Sequence, residues 1–266
     1  MFLGDKGRPQ KYHHIRLNYD IIIDDEKFSL QKMTQNLGFY SISFDKKIKN
    51  TQIIYYDTDK KLLTGAGLIL RKKITAERTY FSLVRISSLS NIENREKKSF
   101  LGECEPQDQP SDFPVQIADE INKIFNNLFT INIVDIVKHC TPYIKVDIAG
   151  NAYKIRSGTG YEAEMSFETM TVRDLRTKRK AKVRNFSLEM EEDPDYKNER
   201  QQILDVIDRH CKELFLINRN RFEIAETAVR MPEIKVDEDG KQQKEKKKSK
   251  KELKAMFENA SEEKQS

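Results

Sequence analysis

Long apolar runs are missing from this 266-residue sequence, and no segment approaches the length that is needed to span a bilayer. The apolar start, Met1 to Leu3, is too short for a secretory signal. Cysteine is scarce, and Cys104, Cys140 and Cys211 are odd in number and lack the spacing of metal ligands. These absences predict a soluble, cytoplasmic protein with free thiols.

A large excess of charge of one sign is missing as well. The chain has 48 Lys and Arg residues against 43 Asp and Glu residues, so the net charge is only +5 although 34% of the residues are charged. A mixed surface of this kind is weak evidence for a nucleic-acid-binding protein, which usually has a clustered basic face. The four histidines, His13, His14, His139 and His210, lack paired spacing, which argues against a histidine metal site.

Composition divides the chain into three parts. Residues 1–11 form an N-terminal extension, and residues 12–230 contain enough apolar residues for one sizeable core. Residues 231–266 are rich in Lys, Glu, Gln and Ser. Because such a segment cannot bury enough apolar surface to fold, it is predicted to be a disordered tail.

Apolar residues at helical spacing predict three helices, from Asp25 to Leu37, from Asp112 to Phe129 and from Lys197 to Phe215. Their apolar stripes are typical of helices that pack on a sheet.

The segment from Tyr55 to Lys73 joins an aromatic strand end, a polar turn and a second strand that ends in three cations. Strand alternation places Arg71 and Lys73 on one face together with Ile69. Fixed positive donors of this kind suit phosphate oxygens. The alternative is an ordinary amphipathic strand that ends in a solvated basic turn.

Charged residues also alternate along later strands: Glu103 and Glu105, Lys154 and Arg156, Glu162, Glu164 and Glu168, and Glu189 and Glu191. A single pair of this kind is usually the solvent face of a half-exposed strand. Polar side chains that face inward in so many strands would be costly in a dry core but are expected in a wet tunnel.

The opening segment and the charged strands after it resemble the signature of the CYTH superfamily, the triphosphate tunnel metalloenzymes, over residues 12 to 228. The resemblance implies an α+β fold built on an eight-stranded antiparallel β-barrel, with helices packed outside. A two-sheet sandwich is the alternative. The implied activity is metal-dependent hydrolysis of inorganic triphosphate or of a nucleoside or thiamine triphosphate, and adenylate cyclase activity also occurs in the family.

The resemblance also implies the residues of the site. A small triphosphate or polyphosphate would be bound by six cations: Arg71, Lys73, Arg85, Lys154, Arg156 and Arg221. Mg²⁺ or Mn²⁺ would be held by five glutamates: Glu103, Glu105, Glu164, Glu189 and Glu191. Hydrolysis by metal and electrostatics needs no protein nucleophile, so none is assigned.

The first strand departs from the family pattern of Glu-x-Glu-x-Lys. In the best register, Arg16 and Asn18 replace the two acids, and Asp20 replaces the lysine. A shifted register would place Asn18 and Asp20 at the acid positions and leave one carboxylate. The departure keeps two other hypotheses open: a catalytically silent tunnel that binds polyphosphate or a nucleotide, and an RNA-associated module that recognises an RNA 5′-triphosphate.

The basic run from Val172 to Arg184 supports the second of these if it is an RNA-contacting hairpin. We favour a strand pair whose alternate cations, Lys182 and Arg184, reach the tunnel.

Overall fold

The computed structural model describes residues 14–21, 26–85, 99–112, 119, 121–123, 125, 132–191, 193–217 and 219–230. The chain divides into two units, Met1–Arg230 and Met231–Ser266, and every described residue lies in the first unit. The predicted N-terminal extension and the predicted tail therefore lie outside the described residues.

All strands of the described chain belong to one antiparallel sheet with the order β5-β4-β3-β2-β6-β7-β8-β1-β9. The strands are β1 (His14–Ile21), β2 (Tyr40–Asp57), β3 (Leu68–Ile74), β4 (Thr79–Arg85), β5 (Ser99–Glu103), β6 (Thr141–Ser157), β7 (Glu162–Asp174), β8 (Lys180–Glu191) and β9 (Leu214–Ile217). Because a single sheet contains them all, the sandwich alternative is wrong.

The helices with continuous described residues are α1 (Glu26–Asn36), α2 (Leu62–Gly65), α3 (Ile133–Lys138), α4 (Lys197–His210) and α5 (Arg221–Arg230). Helices α1 and α4 match two of the predicted helices, although α4 ends before β9. Of the predicted helix from Asp112 to Phe129, residues 119, 121–123 and 125 are helical, and the rest lies outside the described residues. No helix in the described part of the chain is long and apolar enough to cross a membrane.

Helices cover one face of the sheet in two separate places. Met33 of α1 and Ile203 and Ile207 of α4 are buried against apolar residues of β1, β6, β7 and β8. At the other end of the sheet, residues of α2 and α3 pack with Ile121 and Phe125 on β2, β3 and β4. The prediction that helices pack on the outside of the sheet holds for α1 and α4.

Helix α5 lies on the opposite face. Phe222, Ile224, Ala225 and Val229 are buried against an apolar area formed by β2, β6 and β7. Phe222 packs against Tyr55, with ring centroids 5.0 Å apart. The same face carries Arg71 and Lys73, which are in register with Tyr55 and Ile53 of β2.

The sheet curves strongly toward this second face. Three strands separate β1 from β2, which would place them about 19 Å apart in a flat sheet at about 4.8 Å per strand. Yet Asn18 of β1 donates to the carbonyl of Arg219 at 3.1 Å, and Phe222, three residues later, packs on Tyr55 of β2 with ring centroids 5.0 Å apart. The face that carries α5 is therefore concave, and the face that carries α1 and α4 is convex.

The predicted eight-stranded closed barrel needs two corrections. The described sheet has nine strands, because residues 214–217 form β9 instead of the last turn of a helix. Strands β5 and β9 are the two ends of the hydrogen-bonded order, so no described pairing closes the sheet. The α+β class and the large antiparallel sheet are confirmed.

Gly150 provides a test of the close approach between β6 and β7. A Cβ atom on Gly150 would lie 2.0 Å from the backbone oxygen of Phe167. We expect Gly150→Ala to lower the free energy of unfolding by about 1–3 kcal/mol or more, because a neighbouring strand has to move. Denaturant unfolding followed by circular dichroism measures this change.

Gly158→Ala is the matched control, since a Cβ atom there meets nothing within 4 Å. It should change the unfolding free energy by less than about 0.5 kcal/mol. Equal effects of the two substitutions would contradict the described approach of β6 to β7.

Candidate anion-binding site

The start of α5 places a cation on the concave face. Asn220 and Glu223 cap this helix reciprocally: the Glu223 amide donates to Asn220 Oδ1 at 3.0 Å, and the Asn220 amide donates to Glu223 Oε2 at 2.8 Å. This cap fixes Arg221 as the first helical residue. Asn18 of β1 donates to the carbonyl of Arg219 at 3.1 Å, which ties the preceding turn to the sheet.

Arg221 forms a buried ion pair with Glu168 of β7. Its Nη2 atom donates to both carboxylate oxygens of Glu168, at 2.7 Å and 2.5 Å. Ser166 donates to the same carboxylate at 2.9 Å. Burial alone would raise the pKa of Glu168, but the charges of Arg221 and Arg16 hold this pKa below its ordinary value. The carboxylate is therefore ionised at neutral pH.

Arg16 forms a second ion pair, with Glu189 of the neighbouring strand β8. The two residues are in direct register, and Arg16 Nε donates to Glu189 Oε2 at 2.9 Å. Burial opposes the charge of Arg16, but Glu189, Glu168 and Glu164 together raise the pKa of its guanidinium above the ordinary value. The residue that departs from the family pattern is thus a fixed positive charge on the concave face.

Arg71 and Lys73 approach from β3. Arg71 Nε donates to Ser82 Oγ of β4 at 2.8 Å, which orients the guanidinium on this face. Burial and repulsion from Arg221, Arg16 and Arg71 lower the pKa of Lys73 to about 8, and Glu189 partly offsets them. Burial and the neighbouring guanidinium groups therefore destabilise the charged form of Lys73, which a bound anion would stabilise.

Two buried polar atoms within this group have no hydrogen-bond partner among the described residues, Tyr55 Oη and Arg221 Nε. Tyr55 is 1% exposed, and its hydroxyl lies in the field of Arg71, Arg221 and Arg16. Leaving such groups unpaired costs about 1–3 kcal/mol each. A bound anion would satisfy both donors. We call Arg16, Tyr55, Arg71, Lys73 and Arg221 the concave cluster.

The carboxylates of this face do not fit a divalent ion as they stand. Mg²⁺ needs carboxylate oxygens that are available for coordination. Glu189 is bound by Arg16, and Glu168 is bound by Arg221. Glu164 faces Glu189 in the cross-strand register. Within the described ranges, no group of three or more His, Cys, Asp or Glu side chains could hold a metal.

The other predicted phosphate ligands lie in different parts of the sheet. Lys154 and Arg156 share the concave face but lie near Glu162, at 3.7 Å and 2.6 Å. Arg85 is exposed and in register with Leu68, so its side chain points to the face opposite Arg71. Strand parity therefore separates Arg85 from Arg71, and the structure does not bring Arg85 to the face of the other predicted phosphate ligands.

The predicted metal ligands are not gathered into one site. Glu189 and Glu191 lie along β8, and Glu164 lies beside Glu189 on β7. Glu103 is on β5, in register with Tyr80. Glu105 is in an exposed turn after β5, so it does not share a strand face with Glu103.

The positions of Lys182 and Arg184 differ from the expectation that these two cations reach the tunnel. Lys182 is in register with Thr171, and Arg184 is in register with Thr169, whereas Glu168 is in register with Asn185. Because neighbouring residues of a strand face opposite sides, Lys182 and Arg184 lie on the convex face. They do not reach the concave cluster.

Sequence reasoning missed three members of the site in their present roles. The sequence pattern presents Arg16 as the loss of a metal ligand and Tyr55 as a strand end, and it does not place Glu168 in the ligand set. Helix α5 was missed as well. The signal for it is present in the sequence, since Asn220 and Glu223 have capping-box spacing before a run of apolar residues.

No protein-family model and no curated protein matches this chain. Among solved structures, it is similar to a candidate adenylyl cyclase from Hippeastrum that has a dominant triphosphatase activity. That match has a TM-score of 0.50 and 12% identity, and it covers 83% of this chain and 98% of the other.

The chain is also similar to a protein from Pyrococcus horikoshii OT3, with a TM-score of 0.43 and 12% identity over 81% of this chain and 99% of the other. A candidate adenylate cyclase from Vibrio parahaemolyticus has a TM-score of 0.37 and 11% identity, over 82% of this chain and 99% of the other. The match to the Hippeastrum protein shows that this chain has a similar fold.

The buried ion pair of the site can be tested by stability. Glu168→Gln leaves the Arg221 charge buried without its carboxylate, so we expect the free energy of unfolding to fall by about 3–5 kcal/mol at pH 7. The loss should shrink as the pH falls through the lowered pKa of Glu168, where the wild type also loses the charge. Denaturant unfolding between pH 3 and pH 7 measures both effects.

Glu162→Gln is the control, because Glu162 pairs with Arg156 at an exposed position, where the two side chains are 51% and 49% exposed. That substitution should cost less than about 1 kcal/mol. Equal losses in the two variants would show that the Glu168 pair contributes no more than a surface ion pair.

Proposed function

We propose that this protein binds a triphosphate or another short linear polyphosphate on its concave face. The observation that carries the proposal is the environment of the half-buried Lys73, where burial and the charges of three arginines, Arg16, Arg71 and Arg221, lower the pKa of the ammonium to about 8. A multivalent anion would relieve this repulsion. It would also accept hydrogen bonds from Tyr55 and Arg221, whose buried donors lack partners among the described residues.

The arrangement suits a chain of phosphates better than one small anion. The cations come from β1, β3 and the first turn of α5, so they surround the concave face from several sides. Arginine presents a planar set of donors that matches phosphate oxygens, and three of the four cations are arginines. The triphosphatase activity of the Hippeastrum protein with a similar fold supports a triphosphate as the ligand class.

The proposal is for binding without a resident divalent ion. In a metal-dependent triphosphatase, carboxylates hold the metal and cations hold the phosphates. Here the carboxylates of Glu189 and Glu168 are neutralised by Arg16 and Arg221. These two pairs favour the silent-tunnel hypothesis over the metal-dependent phosphohydrolase that the family resemblance implies.

Replacement of Arg71 tests the site directly. Calorimetry with inorganic triphosphate in EDTA should show binding to the wild type. Arg71→Ala should lower the affinity by about 10-fold to 150-fold, because a charge-assisted hydrogen bond contributes about 1.5–3 kcal/mol.

Arg85→Ala removes the same charge from the convex face and should leave the affinity unchanged. Equal losses in both variants, or no binding by the wild type in EDTA, would contradict the proposal. Release of phosphate that is stimulated by Mg²⁺ or Mn²⁺ in the wild type would instead support the hydrolase hypothesis.

Lys73 predicts how the affinity depends on pH. A bound anion stabilises the charged form of Lys73, so the pKa of Lys73 is higher in the complex than in the free protein. Binding is therefore strongest below about pH 8, where the ammonium of the free protein is charged, and it weakens as the pH rises through about 8. The triphosphate itself also titrates, so the informative quantity is the ratio of affinities between the wild type and Lys73→Arg. This ratio should be constant from pH 6 to 7 and should fall by about tenfold or more by pH 9.5.

An arginine keeps its charge over this range, which makes Lys73→Arg the reference. A ratio that stays flat up to pH 9.5 would show that the Lys73 ammonium does not contact the ligand.

A further inference from the structure

The convex face carries a second concentration of positive charge. Lys145 of β6 is in register with Arg173 of β7, which is in register with Lys180 of β8. Lys182 and Arg184 continue the row along β8 on the same face. We call Lys145, Arg173, Lys180, Lys182 and Arg184 the convex basic band.

Neither helical layer of the convex face contains these residues. The layer of α1 and α4 packs on the opposite ends of β6, β7 and β8, and the layer of α2 and α3 packs on β2, β3 and β4. Arg173, Lys180, Lys182 and Arg184 are exposed, and the side chain of Lys145 is 29% exposed. In the described part of the chain, the band is a bare area of sheet between two covered areas.

The band has little negative charge of its own. Among the described positions that share this area, Asp147 is the one carboxylate. It lies 3.6 Å from Arg173 and 3.9 Å from Lys145, and it accepts a hydrogen bond from Gln52 at 2.9 Å. Even without Arg184, the four cations Lys145, Arg173, Lys180 and Lys182 against one described acid leave a local excess, although the chain as a whole has a net charge of only +5.

We propose that the convex basic band binds the sugar-phosphate backbone of single-stranded nucleic acid. Same-face side chains repeat about every 6.7 Å along a strand, and neighbouring strands lie about 4.8 Å apart. The band is therefore a narrow row of flexible cations that a single strand of phosphates can follow. It forms independently of the concave cluster, since the two sets of side chains leave opposite faces of the sheet.

The residues around the band favour contacts with a nucleic-acid backbone over the reading of bases or the binding of a membrane. Thr169, Thr171 and Gln52 lie between the cations and can donate hydrogen bonds to phosphate oxygens. No described position of the band is aromatic, so the surface lacks the stacking platforms that read bases and the apolar anchors that enter a membrane. Binding should be independent of base sequence and strongly dependent on salt.

Fluorescence anisotropy with a labelled 20-nucleotide oligouridylate tests the proposal on the full chain. Three or four phosphate contacts predict a slope of log affinity against log salt of about −2 to −3. The double charge reversal Arg173→Glu and Lys182→Glu should weaken binding more than tenfold and bring the slope closer to zero by about 1.4. A saturating amount of inorganic triphosphate should leave the binding of the wild type intact.

The matched control is Lys197→Glu with Lys212→Glu, two exposed lysines at the start of α4 and just beyond its end, whose replacement changes the net charge by the same amount. This control should retain binding within about twofold. Equal loss in both double variants would show that the net charge is responsible, and no binding by the wild type would also overturn the proposal. Displacement of the oligonucleotide by triphosphate would place its site on the concave face, and stronger binding of polyglutamate would identify an acidic protein as the partner.

Discussion

The ion pair between Arg221 and Glu168 is the constraint on which the rest of the concave face depends. It joins the first residue of α5 to the middle of β7 in an environment where both side chains are less than 10% exposed. Two charges are costly to bury unless each satisfies the other, so this contact fixes the position of the start of α5 on the sheet. Phe222 then follows directly onto Tyr55, and the helix covers the apolar part of the face. What remains uncovered is the charged part.

The curvature of the sheet brings cations from distant parts of the chain together in one site. Arg16, Arg71 and Arg221 come from elements that are far apart in the hydrogen-bonded order, and each acts on Lys73. The sheet holds these cations close together despite their mutual repulsion. Apolar packing of helices on the convex face stabilises the sheet in this shape. Like charges that are held close together are typical of a binding site, because a ligand of opposite sign relieves their repulsion.

The first strand explains how this chain differs from the pattern that it resembles. Arg16 neutralises Glu189, and Asn18 holds the turn before α5 through the carbonyl of Arg219. Both residues therefore have definite partners within the sheet. A guanidinium beside a carboxylate supplies the positive charge that a divalent ion supplies in a metal site, and it does so permanently. This substitution is the physical reason why we propose binding without a resident metal.

The sequence alone determined two of the helices and the shared face of Arg71 and Lys73, because these depend on local periodicity and on strand parity. The α+β class followed from the resemblance to a known family. The sequence could not place Arg85, since the parity between two strands depends on the turn that joins them. Only the tertiary structure decided that Lys182 faces away from the site, that Arg221 pairs with Glu168, and that the sheet does not close through described hydrogen bonds. Register, curvature and the pairing of buried charges arise between distant segments, and no local pattern records them.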